Sequence, residues 1–507
     1  MSVKSKLAKS AFQHKVSRYT RSPHFWVNLL AIGLLLFIAA IGVMNIDPSW
    51  NAQAYHLPVA ARLAGIFSRD EYRMAPMVEG YFDGNANLAE LVQGGLWRLS
   101  GLPGAANLVG ILSMTVLIVV SSAIFKIPIW QLTIFYLSIP LVLRHSYSSY
   151  VDLAANAFLC LAMVIFFSTI MKKDHSIRKL ILVLIPLAVA ANIKLYQLVL
   201  SVVLGMFIFL SYFVFWVRRK VRFSKVLLYL LIFLVFIAGA YWKLGANYLR
   251  YDNPLYPLAF TFRGQEFPGL VSASTSSYIV DAFSVPKINP YYFARSLTEI
   301  DLWRVRPETV YTIDMDLGNY NAVLGARLGG FFVVNLIFWA AGLLIFSLFS
   351  QNRAIFKCLL ILVMMVGVAA FLPSSSELRH VLFIPLSLAT LFLIGLHDLA
   401  RKRWSRALGI VIQVAIFAFV AFLVVTKSDH FPTALTIPQY QTKEAEQKAC
   451  YEVNVESPVC IYGDEPEAFY YKLANPDLVI EFLPGEGSCT VENRISLDQM
   501  REFKRNP

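Results

Sequence analysis

The stretch Asp47-Pro-Ser-Trp-Asn-Ala-Gln-Ala-Tyr55-His56-Leu-Pro58 begins where the first long apolar run of the chain ends. It places carboxylate, amide and imidazole groups at the edge of a segment long enough to cross a bilayer. Ionisable groups are costly to hold beside hydrocarbon unless they are paired or used. We therefore interpret this stretch as a candidate site at a membrane surface, with an ordinary polar loop as the alternative.

The composition predicts a membrane protein. The chain has 57% hydrophobic residues, 15% charged residues and a mean hydropathy of +0.58, which one water-soluble core cannot accommodate. We predict an all-α polytopic membrane protein with about eleven transmembrane helices, each able to cross roughly 30 Å of hydrocarbon. The apolar runs lie near 25–45, 106–125, 128–144, 150–171, 179–196, 197–217, 226–243, 329–350, 355–373, 380–397 and 407–426.

Basic residues lie mainly in the short connections between these runs. If the amino terminus is cytoplasmic, the basic connections all lie on the cytoplasmic side of the membrane. The formal net charge of +13 therefore indicates how the chain is oriented in the membrane, because basic connections favour the cytoplasmic side. No soluble basic domain is apparent, which argues against a nucleic-acid partner. The predicted parts are a cytoplasmic amino terminus (1–24), a transmembrane domain (25–426) with outer loops 46–105 and 244–328, and an outer carboxyl-terminal appendage (427–507).

The outer segments have local patterns of their own. Tyr55–Phe67 and Leu88–Leu99 show apolar residues at helical spacing and predict amphipathic helices at the membrane surface. In the appendage, 459–462 and 478–482 predict strands and 465–473 a helix, which together indicate a small α/β unit. Cys160 and Cys358 fall in apolar runs as packing residues. A disulfide between two of the three appendage cysteines is a further prediction; they are Cys450, Cys460 and Cys489.

Five motifs, in order along the chain, resemble those of the GT-C superfamily of membrane glycosyltransferases. The branch is that of protein mannosyltransferases and lipid A aminoarabinose transferases. The motifs are Trp50-Asn-Ala-Gln-Ala-Tyr-His-Leu-Pro58, Tyr150-Val-Asp152-Leu, Asn192-Ile-Lys194-Leu-Tyr196, Asn253-Pro-Leu-Tyr256-Pro257 and Glu377-Leu-Arg379-His380. The resemblance implies a GT-C-like fold and inverting transfer of a sugar from a polyprenyl-phosphate donor. It also implies an outer-face reaction at the bacterial inner membrane, among membrane lipids, with a lipid, glycan or protein acceptor.

The resemblance also implies roles for individual residues. Asp47 is the predicted base, because a carboxylate must accept the proton of the acceptor hydroxyl, and Asp152 is predicted as a second acidic group of the catalytic site. The family usually has Asp four residues before the tyrosine, where this chain has Asn51. Whether a divalent metal assists stays open. The predicted substrate-binding residues are Asn51, Tyr55, His56, Glu90, Arg144, His145, Lys194, Tyr256, Arg379 and His380.

Structural alternatives accompany these roles. Asp152 could cap its helix, Glu90 could lie on the solvated face of an amphipathic helix, and the basic residues could snorkel toward headgroups. A transporter or flippase of a lipid-linked molecule is the non-enzymatic alternative, although the charges collect at helix ends and not at the midplane. A polysaccharide polymerase or ligase is the second enzymatic alternative.

Overall fold

The computed structural model describes three main parts of the chain. The first is 23–272, apart from residues 46, 48 and 50; the second is 353–400, apart from 373, 374, 376 and 377. The third comprises 459–462, 468–483 and 494–496, and scattered residues between 290 and 445 are also described. Cys450, Cys489, Glu377, the amino terminus and most of the predicted spans at 329–350 and 407–426 lie outside the described residues.

Long apolar helices dominate the described residues and confirm the predicted class, a helical polytopic membrane protein. Six of them are long and apolar enough to cross a bilayer, so the predicted count of eleven is not reached in this part of the chain. The helices are α1 (Pro23–Val43), α2 (Leu57–Leu63), α3 (Pro76–Gly84), α4 (Leu88–Ser100), α5 (Leu108–Phe125), α6 (Ile129–Leu137), α7 (Pro140–His145), α8 (Asp152–Lys172), α9 (Ile177–Ile193), α10 (Leu195–Arg219), α11 (Phe223–Tyr251), α12 (Arg353–Ala370), α13 (Phe383–Ala400) and α14 (Ala468–Ala474).

The predicted span at 128–144 is wrong as a single helix. It is divided into α6 and α7, and α6 has 9 residues, about 14 Å of helix, too little to cross the hydrocarbon. The break lies at Ile139, whose backbone is extended immediately before Pro140. A proline disfavours helical backbone at the residue before it, and this explains the interruption.

Helix α8 lies at the centre of the bundle. Its residues are almost entirely buried, and it packs on α5, α9 and α13. Cys160 contacts the hydroxyl of Ser387 across the α8–α13 interface, 3.3 Å from Oγ to Sγ, and Cys358 is also buried, as predicted for packing residues. In contrast, α1 and α11 expose large apolar side chains on their outer faces, as expected of helices against lipid. The first residue of α8, Asp152, is therefore held by a rigid core.

The first outer segment forms a compact cap on this bundle. It begins with a π-helix, Ala52–His56, that continues into α2, and α2 packs on α4. A Cβ atom at Gly94 of α4 would lie 2.1 Å from the carbonyl oxygen of Ala60, so only glycine permits this close approach. The predicted amphipathic helix at Leu88–Leu99 is confirmed as α4, whereas the one at Tyr55–Phe67 is a π-helix and a shorter α-helix.

The carboxyl-terminal appendage and the first outer segment share one parallel sheet. Its strands are β1 (Tyr72–Arg73), β5 (Val459–Tyr462), β6 (Ile480–Leu483) and β7 (Arg494–Ser496), in the order β1-β6-β5-β7. Helix α14 buries Phe469 and Tyr471 against the cap. The predicted strands and helix of the appendage are confirmed, but the sequence patterns did not predict that the outer segment supplies a strand.

The second outer segment begins with the Asn253–Pro257 loop and a three-stranded sheet. Its strands are β2 (Leu258–Phe262), β3 (Gln265–Phe267) and β4 (Val271–Ser272), in the order β3-β2-β4. The buried Asn253 side chain donates to the carbonyls of Leu258 and Pro268, both at 2.7 Å, and accepts from the Leu255 amide. This asparagine therefore holds the loop as a fixed turn.

Candidate functional site

Three ionisable side chains from distant parts of the chain meet at one end of the bundle. Asp152 is the first residue of α8 and is 1% exposed. Lys194 occupies the extended break between α9 and α10, and its ammonium donates a hydrogen bond to Asp152 Oδ1. His380 Nε2 lies 3.7 Å from the same oxygen. Asp152 is therefore the anionic centre of a basic cluster at the ends of spanning helices.

Two buried amides position the basic residues of this cluster. Asn156 Nδ2 donates to the carbonyl of Arg379 at 3.0 Å, and Asn156 Oδ1 accepts from the Phe383 amide at 2.9 Å. Gln197 Nε2 donates to the carbonyl of His380 at 3.0 Å. Sequence reasoning missed both amides. Their spacing was the available signal. Asn156 follows Asp152 by four residues and Gln197 follows Lys194 by three, about one helical turn in each case.

Aromatic rings connect this centre to the motif of the first outer segment. The Arg379 guanidinium lies over the Tyr150 ring, 5.4 Å from Cζ to the centroid, a cation–π geometry. The Tyr150 ring contacts the rings of His145, at 4.9 Å between centroids, and His56, at 5.8 Å. The structure thus brings the Tyr150-Val-Asp152 and Trp50–Pro58 motifs together.

A buried histidine–carboxylate pair forms the other half of the site. His56 Nδ1 lies 2.9 Å from Glu90 Oε1, and Glu90 is 1% exposed. The alternative interpretation of Glu90 as the solvated face of a helix is therefore wrong. Within the described residues, Glu90 Oε2 has no hydrogen-bond partner. A buried carboxylate oxygen without a partner is costly and is suited to accepting a proton.

Tyr55 borders the histidine–carboxylate pair. Its hydroxyl donates to Asn87 Oδ1 at 3.0 Å and accepts from Asn85 Nδ2 at 3.3 Å. Burial, and then the negative charge of Glu90, raise the pKa of Tyr55 well above its usual value. The tyrosine is therefore a neutral hydrogen-bonding group, and its ring packs edge-on against His56.

The Asp47 carboxylate accepts hydrogen bonds from its own loop and from the residues just before α8. Its Oδ1 accepts from the Ser49 amide at 3.1 Å, and Oδ2 accepts from the amide and hydroxyl of Ser149 at 2.8 and 3.1 Å. The Tyr470 hydroxyl of the appendage donates to the Asp47 carbonyl at 2.7 Å. Asn51 is half-buried directly before the π-helix. These bonds join the first outer segment to the start of α8 and to α14.

The remaining predicted residues lie in different environments. Arg144 donates to the Tyr147 hydroxyl at 3.0 Å and lies over that ring. Burial lowers the pKa of His145 to about 3, so this imidazole is neutral at physiological pH. Tyr256 stacks on Tyr251 with 3.8 Å between ring centroids and lines a separate outer cavity, so the structure does not bring it to the Asp152 centre. Among the described residues, no cluster of three or more histidine, cysteine or acidic side chains offers a metal site.

Comparison with known proteins gives one structural neighbour to report. No family model matches the sequence, and no curated protein matches it. The fold is similar to the crystal structure of ArnT from Cupriavidus metallidurans bound to undecaprenyl phosphate, with a TM-score of 0.40 and 14% sequence identity. The similarity covers 92% of this chain and 87% of that chain.

Proposed function

We propose that this protein transfers a sugar from a polyprenyl-phosphate donor to an acceptor at the outer face of a bacterial inner membrane. The observation that carries the proposal is the meeting of Lys194 and His380 at buried Asp152, with the Arg379 guanidinium over the neighbouring Tyr150 ring, at the ends of helices able to span a bilayer. A lipid-linked phosphate lies at this depth, with its chain in the hydrocarbon and its anionic group at the interface.

Lys194 and Arg379 bind the phosphate of the donor in this proposal. A transferred sugar leaves behind a phosphate with additional negative charge, and fixed cations stabilise that charge in the transition state. Asp152 orients Lys194, and Asn156 and Gln197 hold the backbone of the Arg379–His380 turn. The arrangement therefore provides a preorganised cationic site, whose geometry depends on the buried side chains of Asp152, Asn156 and Gln197.

Glu90 is the group that we assign to take the proton of the acceptor. The acceptor oxygen forms a bond to the anomeric carbon, the bond from that carbon to the phosphate oxygen breaks, and the hydroxyl proton passes to Glu90 Oε2. His56 holds Oε1 and so fixes the carboxylate orientation. Asp47, the base predicted from the sequence motif, becomes a positioning residue in this proposal because its carboxylate already accepts three hydrogen bonds.

Donor binding is the direct test. Undecaprenyl phosphate is titrated into the full-length protein in lipid nanodiscs, and binding is followed by native mass spectrometry. Lys194→Gln and Arg379→Gln should each weaken binding by about tenfold or more, because each loses a charge-assisted contact. Lys126→Gln is the matched control, since Lys126 follows α5 at the opposite end of the bundle, beside the end of α8.

The outcomes separate the alternatives. Unchanged affinity in both site variants would return Lys194 and Arg379 to a snorkelling role and refute the donor site. Donor binding that follows the prediction, without sugar transfer to any lipid, glycan or protein acceptor, would instead favour a protein that carries lipid-linked molecules.

A further inference from the structure

A cavity of about 210 Å³ lies between the two outer segments, outside the proposed transfer site. The first outer segment contributes residues of β1 and α3 to its lining, and the second contributes Tyr256 of the Asn253–Pro257 loop and Leu270. The charged and aromatic lining residues are Arg69, Arg73, Glu79, Asp83 and Tyr256. None of the roles assigned above uses this cavity.

Its charge balance favours an anionic ligand. Glu79 is already neutralised, because Arg62 Nη1 lies 2.7 and 2.8 Å from its two carboxylate oxygens and the Met74 amide donates to Oε1 at 3.0 Å. Arg69 Nη2 is 3.3 Å from Glu79 Oε2, yet the Arg69 side chain is 57% exposed. Arg73 and Asp83 also line the cavity. Apart from Glu79, which is paired with Arg62, the charged lining therefore consists of two guanidinium groups, Arg69 and Arg73, and one carboxylate, Asp83.

Topology does not account for these arginines. The positive-inside rule explains basic residues on the cytoplasmic side, whereas this cavity lies on the cap, the side predicted to be outside. Its wall is also aromatic: Tyr256 stacks on Tyr251, at 10° between ring planes, and the Arg250 guanidinium lies 5.2 Å from the centroid of the Tyr251 ring. Cations beside an aromatic surface are the combination that recognises charged sugars.

One helix separates the cavity from the histidine–carboxylate pair. Tyr81 of helix α3 and Asn85, which directly follows the helix, contact Tyr55: the Tyr81 ring lies 5.9 Å from the Tyr55 ring, and Asn85 donates a hydrogen bond to the Tyr55 hydroxyl. Gly80 and Asp83 of the same helix line the cavity. The separation is therefore about one helix diameter, near 10 Å. Units of one glycan chain can occupy both places.

We propose that this cavity binds a carboxylated or phosphorylated sugar unit of a glycan acceptor while another unit reaches the transfer site. This proposal rests on the proposed function and narrows the acceptor to anionic glycans. Arg69 and Arg73 bind the acidic group through paired hydrogen bonds, which the planar guanidinium suits. Asp83 accepts hydrogen bonds from hydroxyls, and Tyr256 packs on the apolar face of the ring.

Binding of small anionic sugars tests the proposal without any transfer reaction. The probes are trigalacturonate, its neutral trimethyl ester and glucose 6-phosphate, each titrated into the full-length protein in nanodiscs and followed by saturation-transfer NMR. At least one anionic probe should bind about tenfold or more tightly than the ester. A preference for trigalacturonate or for glucose 6-phosphate distinguishes a carboxylate from a phosphate as the recognised group.

Variants assign the binding to this cavity. Arg73→Gln and Arg69→Gln should each weaken binding of the preferred anionic probe by about tenfold. Arg263→Gln is the matched control, because Arg263 is an exposed arginine of the second outer segment that does not line the cavity. Arg73→Gln is decisive if Arg69→Gln destabilises the cap through Glu79, and a thermal melt of each variant identifies that case.

Two results would overturn the proposal. Equal binding of the anionic probes and the neutral ester would show that the arginines do not select charge, and full affinity in Arg73→Gln would place binding elsewhere. Either failure leaves undecaprenyl phosphate binding through Lys194 and Arg379 intact. If instead the proposed function fails, undecaprenyl phosphate would not bind through Lys194 and Arg379, while anionic sugars would still bind in the cavity.

Discussion

Breaking the Asp152–Lys194 pair separates its structural role from its role in donor binding. Removal of one partner of a buried ion pair typically costs 3–5 kcal/mol, because the other charge stays buried without compensation. Here Asp152 is 1% exposed, but the Lys194 side chain is 26% exposed and His380 lies 3.7 Å from the same carboxylate oxygen. We therefore expect Lys194→Gln to lower the free energy of unfolding by about 2–3 kcal/mol.

The assay is a double-mutant cycle of Lys194→Gln and Asp152→Asn, with unfolding measured by denaturant titration in detergent micelles. Asp152→Asn should cost less than Lys194→Gln, because the remaining ammonium can reach water. The double variant should be more stable than Lys194→Gln, with a coupling energy of about 1–3 kcal/mol. Undecaprenyl phosphate binding, measured on the same samples, should stay weak in the double variant because the cation is still missing.

Two results would refute this reasoning. If Lys194→Gln is as stable as the native protein, Asp152 is compensated by other groups and the pair is not an energetic unit. If the double variant regains native donor affinity, Lys194 acts only by neutralising Asp152 and does not contact the phosphate.

Three further predictions concern the carboxylates, a buried histidine and the topology. Glu90→Gln should lower the transfer rate by about 100-fold or more with donor affinity unchanged, whereas Asp47→Asn should chiefly destabilise the cap, by about 1–3 kcal/mol; the opposite pattern would restore Asp47 as the base. Because burial lowers the pKa of His145 from 6.5 to about 3, its neutral form favours the folded state above pH 6.5, and this stability is lost as the pH falls toward 3. Between pH 7.5 and 5 the melting temperature should therefore fall less for His145→Gln than for the native protein. An equal decrease of melting temperature with pH in both proteins would contradict this. An enzyme reporter that works only outside the membrane should be active after Pro507 and inactive after Lys220, and the reverse would invert the assigned faces.

Local patterns in the sequence predicted the helical membrane class and several elements of the cap and appendage. Those features depend on residues that are neighbours in the chain, such as the apolar spacing of Leu88–Leu99 and the strand-like 459–462 segment. Proline at 140 interrupts a run whose hydropathy alone predicts a span. Hydropathy averages over the window and does not register the backbone restriction that one proline places on the residue before it, which explains that error.

Long-range contacts at the candidate site could not be read from the chain. The motifs identified Asp152, Lys194 and His380 separately, and their meeting around one carboxylate oxygen is a tertiary result. Asp47 shows the same limit. Whether the Asp47 carboxylate points at a substrate or is held by hydrogen bonds depends on donors that are distant in the chain, here the amide and hydroxyl of Ser149.

The sheet shared by β1 and the appendage has a consequence for the assembly of the protein in a cell. Tyr72 pairs with Ile480, so β1 receives its neighbouring strand only when β6, more than 400 residues later in the chain, has been synthesised. The Asp47 carbonyl likewise obtains its Tyr470 donor only at that stage. A chain still emerging from the ribosome would therefore carry an incomplete cap. The cap therefore gains its full set of contacts only after the strands and helix of the appendage have been synthesised.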